Sequence, residues 1–220
     1  SGTITINGGH VTATGGNGGA GIGGGGGNNT GGAAQMIAIS TATIFATGGF
    51  GGAGIGGGGG NVLGGVGGII NILSGNITAL GGGESSGIGG GGSFTTVGAG
   101  ATLNIDASAT VKAASTTNVT AMQPAISFIG GTIQSKIVMA NYAVLQPANT
   151  TAQVYVKLSN ALIDSYTPTI GYESIAFTVP NSDNYAIKSN GISQKHNVGP
   201  STAFVINSNG LTVFNGLEEG

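Results

Sequence analysis

The residues of this chain that are best suited to ligand chemistry lie between positions 160 and 190. The tract LIDSYTPTIGYESIAF and the stretch after it combine tyrosine rings with carboxylates, at Asp164, Tyr166, Tyr172, Glu173 and Asp183. Aromatic faces stack on apolar faces of ligands such as sugars, and carboxylate oxygens accept hydrogen bonds from hydroxyl groups. We therefore predict these five as ligand-binding residues.

The elements that must position such residues follow from a repeat. A block of about 33 residues occurs three times in the first hundred, as TITINGGHVTATGGNGGAGIGGGGG from Thr3, MIAISTATIFATGGFGGAGIGGGGG from Met36 and IINILSGNITALGGGESSGIGGGG from Ile69. A fixed period of this size indicates a solenoid, because one repeat cannot bury its apolar face alone and must stack on its neighbours. The period predicts inward ladders at Ile4, Ile37, Ile70 and Leu103, at Ile6, Ile39, Ile72 and Ile105, and at Ile22, Ile55 and Ile88.

Each repeat contains three short strand-like segments separated by glycine-rich corners. In the first repeat these are ITI, HVTAT and AGIGGG, with Asn7-Gly8-Gly9 as the first turn. Alternation places Ile4 and Ile6 inward and the threonines outward. The same pattern restarts in the same direction without hairpin signals, which predicts a parallel β-helix rather than a meander.

A composition shift near Gly100 predicts the domain organisation. Of the 48 glycines, 40 lie before residue 101. We predict a parallel β-helix over 1–150, with clear repeats over 3–100 and degenerate coils over 101–150, and a C-terminal β cap or small β domain over 151–220. All five tyrosines lie beyond residue 141, so an alternative to ligand binding is that they cover the end of the solenoid. Asn209-Gly210 between apolar runs predicts a hairpin.

Charge and cysteine content exclude several functions. Charged residues make up 5% of the chain, the net charge is −2 and arginine and cysteine are absent. Nucleic-acid binding needs a basic surface, and electrostatic membrane docking needs one too. There is also no apolar span long enough for membrane insertion. We expect no nucleic-acid partner, no membrane insertion and no thiolate chemistry.

The glycine runs Gly23–Gly27, Gly56–Gly60 and Gly89–Gly92 allow two interpretations. They could form a smooth surface that a partner backbone or a sugar approaches closely, or they could let neighbouring coils pack tightly. The second interpretation is the more economical. A phosphate loop is excluded because no Gly-Lys-Ser/Thr follows.

Catalysis and metal binding lack the necessary residues. The solenoid offers Glu84, Asp106 and Lys112, too few for the charged groove of a β-helix polysaccharide lyase, and a calcium roll needs a carboxylate in each glycine turn. His10 and His196 are far apart and belong to no nucleophile or metal motif. We predict no enzyme, no catalytic or metal-binding residues and no cofactor.

The phrase GTITINGG-VTATGG-GAGIGGG, within about residues 2–115, resembles the glycine-rich repeats of large surface proteins of bacteria, mostly Gram-positive. In that group similar coils occur in long arrays expected to form right-handed parallel β-helices. The resemblance implies an extracellular, cell-associated scaffold or adhesive module, without catalytic residues that could be carried over.

These observations predict a non-enzymatic extracellular structural or adhesive module of a bacterial surface protein. Its expected partner is a host or cell-surface protein or glycan, and its expected location is the cell surface. A carbohydrate-binding module is the first alternative. A degenerate β-helix polysaccharide lyase or a phage tail-type receptor-binding protein is the second.

Overall fold

A computed structural model of the chain describes residues 2–116, 123–156, 158–189, 202–207 and 210–215. Within these ranges the structure contains strands and no helix, which confirms the predicted all-β fold. The strands of the repeats are β1 (Thr3–Thr14), β2 (Ile22–Gly23), β3 (Met36–Thr47), β4 (Ile55–Gly56), β5 (Ile69–Ile72), β6 (Gly75–Leu80) and β7 (Ile88–Gly89). Those that follow are β8 (Ala101–Ile105), β9 (Ala109–Ser115), β10 (Phe128–Gly130), β11 (Lys136–Gln146), β12 (Ala152–Val156), β13 (Leu162–Tyr166), β14 (Tyr172–Val179), β15 (Tyr185–Ser189), β16 (Thr202–Asn207) and β17 (Gly210–Asn215).

The repeats form a β-solenoid of about three turns, with parallel strands stacked about 33 residues apart. Strand β1 pairs with β3, β3 with β5 and β6, and these with β8 and β9. The register confirms the predicted ladders, because Ile37 lies opposite both Ile4 and Ile70. These isoleucines alternate with outward residues, some polar and some apolar such as Met36 and Ile69, and the inward positions of each coil join a common core.

The third segment of each coil forms a separate sheet from the two-residue strands β2, β4 and β7. Ile55 of β4 lies opposite Ile22 on one side and Ile88 on the other, and it is 0% exposed. An isolated bridge continues this ladder from Ile88 to Ile126. Together with the parallel pairing of β10 and β8, this bridge shows that a further, shortened coil begins at Ile126.

The first turn of the coil differs from the expected corner. Asn7-Gly8-Gly9 lies inside the continuous strand β1. Asn7 and Gly9 each pair with β3, and the pairing is interrupted at Gly8 alone. Gly8 has a φ of 113° and Thr41, its neighbour in the next coil, a φ of 52°. Because both strands depart from the extended conformation at the same position, the register of the ladder is the same on either side of it. In the third coil the same position separates β5 from β6.

The strands beyond the repeats continue the large sheet in antiparallel fashion. Strand β14 pairs with the outer edge of β9, β11 pairs with β14, and β16 pairs with β11 and with β17. Strands β16 and β17 pair as the hairpin predicted from the sequence requires, while Asn209 of its turn lies outside the described residues. Strands β13, β12 and β15 form a small antiparallel sheet, whose buried residues share a second core with β11 and β14.

Candidate functional site

The glycine-rich segments form an ordered backbone lattice. Gly32 donates a hydrogen bond to the carbonyl of Gly25 at 2.7 Å, Gly58 donates to Gly32 at 2.9 Å, and Gly65 donates to Gly58 at 2.7 Å. The pattern continues in the next coil with Gly91 donating to Gly65 at 2.9 Å. A Cβ atom on Gly58 would overlap the carbonyl of Gly25. The geometry thus supports tight packing as the reason for the glycine runs.

A groove crosses the three coils on this glycine-rich side. We call it the axial groove; its volume is about 480 Å³. It is lined by Asn17, Gly18, Gly26, Gly27, Asn28, Phe50, Gly51, Gly59, Gly60, Asn61, Glu84, Gly92, Ser93 and Phe94. Two turns of each coil approach closely here, since a Cβ on Gly26 would lie 2.8 Å from the Cα of Gly18.

Two phenyl rings form the apolar part of the axial groove. Phe50 is 54% exposed and Phe94 is 55% exposed, and their ring centroids lie 6.1 Å apart with a tilt of 42° between the planes. They come from different turns of successive coils, so only the stacking of the solenoid brings them together. Solvent-exposed aromatic rings on a fixed backbone are suited to contact with a ligand.

The polar part of the axial groove is almost free of charge. Its exposed side chains include the amides of Asn17, Asn28 and Asn61. Its one carboxylate belongs to Glu84, which is 1% exposed and has a φ of 67°. The hydroxyl of Ser93 is already engaged, donating to the carbonyl of Val62 at 3.2 Å. The groove can therefore stack on a ligand and exchange hydrogen bonds with it.

The structure corrects the prediction that Tyr172 binds a ligand. Its side chain is 0% exposed, its hydroxyl donates to the carbonyl of Thr150 at 3.0 Å, and its ring meets that of Tyr142 edge-on at 6.0 Å. Because β14 is buried between β9 and β11, a ring pointing inward from it belongs to the core. Tyr172 has no exposed face on which a sugar could stack.

Asp164 and Tyr166 lie at the junction between the small sheet and the solenoid. Lys112 Nζ on β9 forms an ion pair with Asp164 Oδ1 at 2.7 Å and donates to the carbonyl of Ser165 at 3.0 Å. Tyr166 packs against the second core, and this burial raises the pKa of its hydroxyl to about 12. Tyr166 therefore has a position that suits the covering role considered for the tyrosines, and Asp164 contacts the solenoid through its ion pair with Lys112.

The remaining predicted residues lie elsewhere. Glu173 is half-buried on β14, next to Tyr172 and therefore directed to the other face of the sheet. Asp183 is exposed before β15, where it accepts a hydrogen bond from Ser182 at 2.9 Å, and its main-chain carbonyl accepts one from Lys136 at 2.7 Å. The five predicted residues are therefore spread over two sheets and a loop.

The ionisable residues that were considered for catalysis and metal binding have the following surroundings. Asp106 accepts hydrogen bonds from the amide and the hydroxyl of Ser108, each at 3.0 Å, and these hold its pKa below the ordinary value. Across the described ranges, no three His, Cys, Asp or Glu residues come together as a metal-ion site. His10 is exposed on β1, and His196 lies outside the described residues. In the same ranges there is no helix with the length and apolar character needed to cross a membrane.

The sequence contained a weak indication of the axial groove. Phe50 occupies a turn that holds Asn17 in the first coil, and Phe94 lies two residues after the run Gly89–Gly92. Neither position repeats as an aromatic residue, so the 33-residue period did not pair them.

A scan against protein-family models, a search of curated proteins and a search of solved structures each found no match to this chain.

Proposed function

We propose that this chain is a non-enzymatic, extracellular adhesive module of a bacterial surface protein, and that it binds its ligand through the axial groove. The observation that carries the proposal is the pair Phe50 and Phe94, both more than half exposed and 6.1 Å apart on the glycine lattice. Binding hot spots are enriched in aromatic residues. Other exposed apolar side chains of the coils, such as Phe45, Val62 and Leu73, lie outside the axial groove.

The lattice supports this proposal because it makes the groove rigid. Gly59 donates to the carbonyl of Gly18 at 2.6 Å and Gly92 donates to that of Gly51 at 2.7 Å, so each pair of coils is linked at the groove itself. A site that is already ordered loses less conformational entropy on binding than a flexible loop does. A rigid, nearly uncharged surface suits an adhesive role in which many weak contacts act together.

Carbohydrate binding is the second candidate function, and the lining of the axial groove favours it. Three exposed asparagine amides lie beside the two rings, and the cationic side chains that would attract an anionic ligand are missing from the lining. Amides can both donate to and accept from hydroxyl groups, while phenyl rings contact the apolar face of a sugar. This combination fits a neutral glycan better than a charged one. A polysaccharide lyase gains no comparable support, because the lining lacks a base beside a cation.

The test compares the intact protein with a groove variant and a matched control. The variant is Phe50→Ala with Phe94→Ala. The control is Phe45→Ala, which removes a ring that is 38% exposed on β3, outside the axial groove. Each protein is applied to a glycan array and to immobilised host-cell surface proteins.

We expect at least about a tenfold loss of binding for the groove variant, since hot-spot truncations cost about 2 kcal/mol or more. The control should bind as the wild type does. Equal binding by the groove variant would refute the axial groove as the site. Array hits limited to neutral glycans would favour the carbohydrate-binding alternative, and release of unsaturated sugar products would favour the lyase.

A further inference from the structure

The two ends of the solenoid are covered differently. At the end nearest the C-terminus, β10 pairs with β8 and β14 pairs with β9. At the other end β1 pairs with β3 alone, so its second edge has no partner among the described residues. Ile4 of β1 is 37% exposed, whereas its counterparts Ile37 and Ile70 are 0% exposed. The first coil therefore leaves a 12-residue strand edge and a row of core side chains open.

Two glycines of the first coil, Gly16 and Gly25, have no neighbour that would exclude a larger side chain. In the second coil, a Cβ on Gly49 would overlap the carbonyl oxygen of Gly16, and a Cβ on Gly58 would overlap that of Gly25. In the third coil the same overlap occurs between Gly82 and Gly49 and between Gly91 and Gly58. In each pair the obstacle is the coil that precedes the glycine.

Gly16 and Gly25 occupy the same two positions in the first coil, but a Cβ added to either would meet nothing within 4 Å. Neither has the positive φ that favours glycine. Glycine without such a reason is unfavourable, because it loses more conformational entropy on folding than other residues do. The glycines of the first coil are those that a preceding coil would require.

The backbone donors give the same result. Gly49 donates to the carbonyl of Gly19 and Gly58 donates to that of Gly32, both in the preceding coil and both at 2.9 Å. The corresponding amides of Gly16 and Gly25 donate no backbone hydrogen bond within the described ranges. The open end thus presents the amides, apolar side chains and absent Cβ atoms that the interface between successive coils uses.

We propose that the open end of the solenoid is a docking surface for one further coil of this same glycine-rich repeat, stacked parallel and in register on β1. The interface would continue the one between the first and second coils. A second copy of the chain cannot supply it in this orientation, because in its large sheet β8 is already paired with β10 and β9 with β14. The occupant is therefore a coil with the same glycine positions as the repeat, which the match at Gly16 and Gly25 requires.

The experiment adds one copy of residues 3–35 directly ahead of Thr3 in the full chain. Amide hydrogen exchange is then measured in the extended and unextended proteins, each with and without Gly16→Ala and Gly25→Ala together. The unextended double variant shows whether these alanines are tolerated when no coil covers them. A Gly49→Ala variant of the unextended chain serves as the control for a glycine that is already covered.

We expect exchange at Gly16, Gly25 and β1 to slow at least about tenfold on extension, because their amides become bonded. The double substitution should leave the urea midpoint of the unextended chain unchanged and abolish the slowing in the extended chain. Gly49→Ala should lower the midpoint in the unextended chain. Unchanged exchange after extension, or full slowing in the extended double variant, would overturn the proposal. So would concentration-dependent dimerisation of the unextended chain that protects the same amides, which would assign the surface to a second copy.

Discussion

Replacing Ile55 by alanine should lower the free energy of unfolding by about 3–5 kcal/mol, in the upper part of the range for isoleucine-to-alanine changes in cores. Ile55 is 0% exposed and lies between Ile22 and Ile88 in the third-segment ladder. The cost depends on how well the surroundings can collapse into the cavity. Here the backbone is held on both sides, because the amide of Ile55 donates to Gly87 at 2.9 Å and that of Ile22 donates to Gly54 at 3.0 Å.

Two further substitutions calibrate this value. Ile22→Ala should cost about 2 kcal/mol, at the low end of the range, because Ile22 is 7% exposed at the open first coil and has a ladder neighbour on one side. Val62→Ala should change stability by less than about 0.5 kcal/mol, since Val62 is 51% exposed.

The assay is urea unfolding followed by circular dichroism, with the midpoint and the slope compared among the variants. A loss within about 0.5 kcal/mol for Ile55→Ala would mean that the side chain does not lie in a closed ladder, and the register of the coils would then be wrong.

Three other predictions test the lattice, the absence of a structural ion and the buried phenol. Amides of Gly58 and Gly65, which donate within and between coils, should exchange slowly in the intact protein, and exchange at the rate of an unstructured linker would contradict the lattice. A chelator should leave Tm unchanged, because the glycine turns contain one carboxylate, Glu84; a drop that calcium restores would reveal a missed site. Burial raises the pKa of Tyr166 to about 12, above the value of about 10 expected in the unfolded chain. The contribution of the neutral Tyr166 phenol to stability is therefore complete below pH 10 and is lost as the pH rises toward 12. At that pH the wild type should have lost on the order of 2 kcal/mol more stability than Tyr166→Phe. Equal losses of the two proteins in pH titrations of their urea midpoints would contradict this.

The solenoid could be predicted because the length of the sequence repeat equals the offset between paired residues in successive coils. Ile22, Ile55 and Ile88 occur at equal spacing, and equal spacing places residues opposite one another in stacked coils. The glycine runs were harder to interpret, since their composition is also that of a flexible linker. What the composition could not convey is that Gly49 must pass the carbonyl of Gly16, a contact that exists only after stacking.

The candidate site could not be predicted in the same way. Phe50 and Phe94 meet across two coils at positions that do not repeat, so no periodic pattern joins them. Tyr172 is of a residue type that is common in binding sites, but it is a core residue because β14 lies between β9 and β11. That antiparallel pairing links residues about 60 positions apart, such as Ile175 and Ala114, and non-local pairing of this kind leaves no local sequence signature.

The most direct test of the account is a nuclear magnetic resonance titration of the intact protein, labelled at phenylalanine and tyrosine, with a glycan or surface protein that the binding screens identify. We expect the ring signals of Phe50 and Phe94 to shift in a saturable way, while those of Tyr166 and Tyr172 stay fixed. Saturable shifts confined to the tyrosines between residues 160 and 190, with Phe50 and Phe94 unaffected, would contradict the assignment of binding to the axial groove.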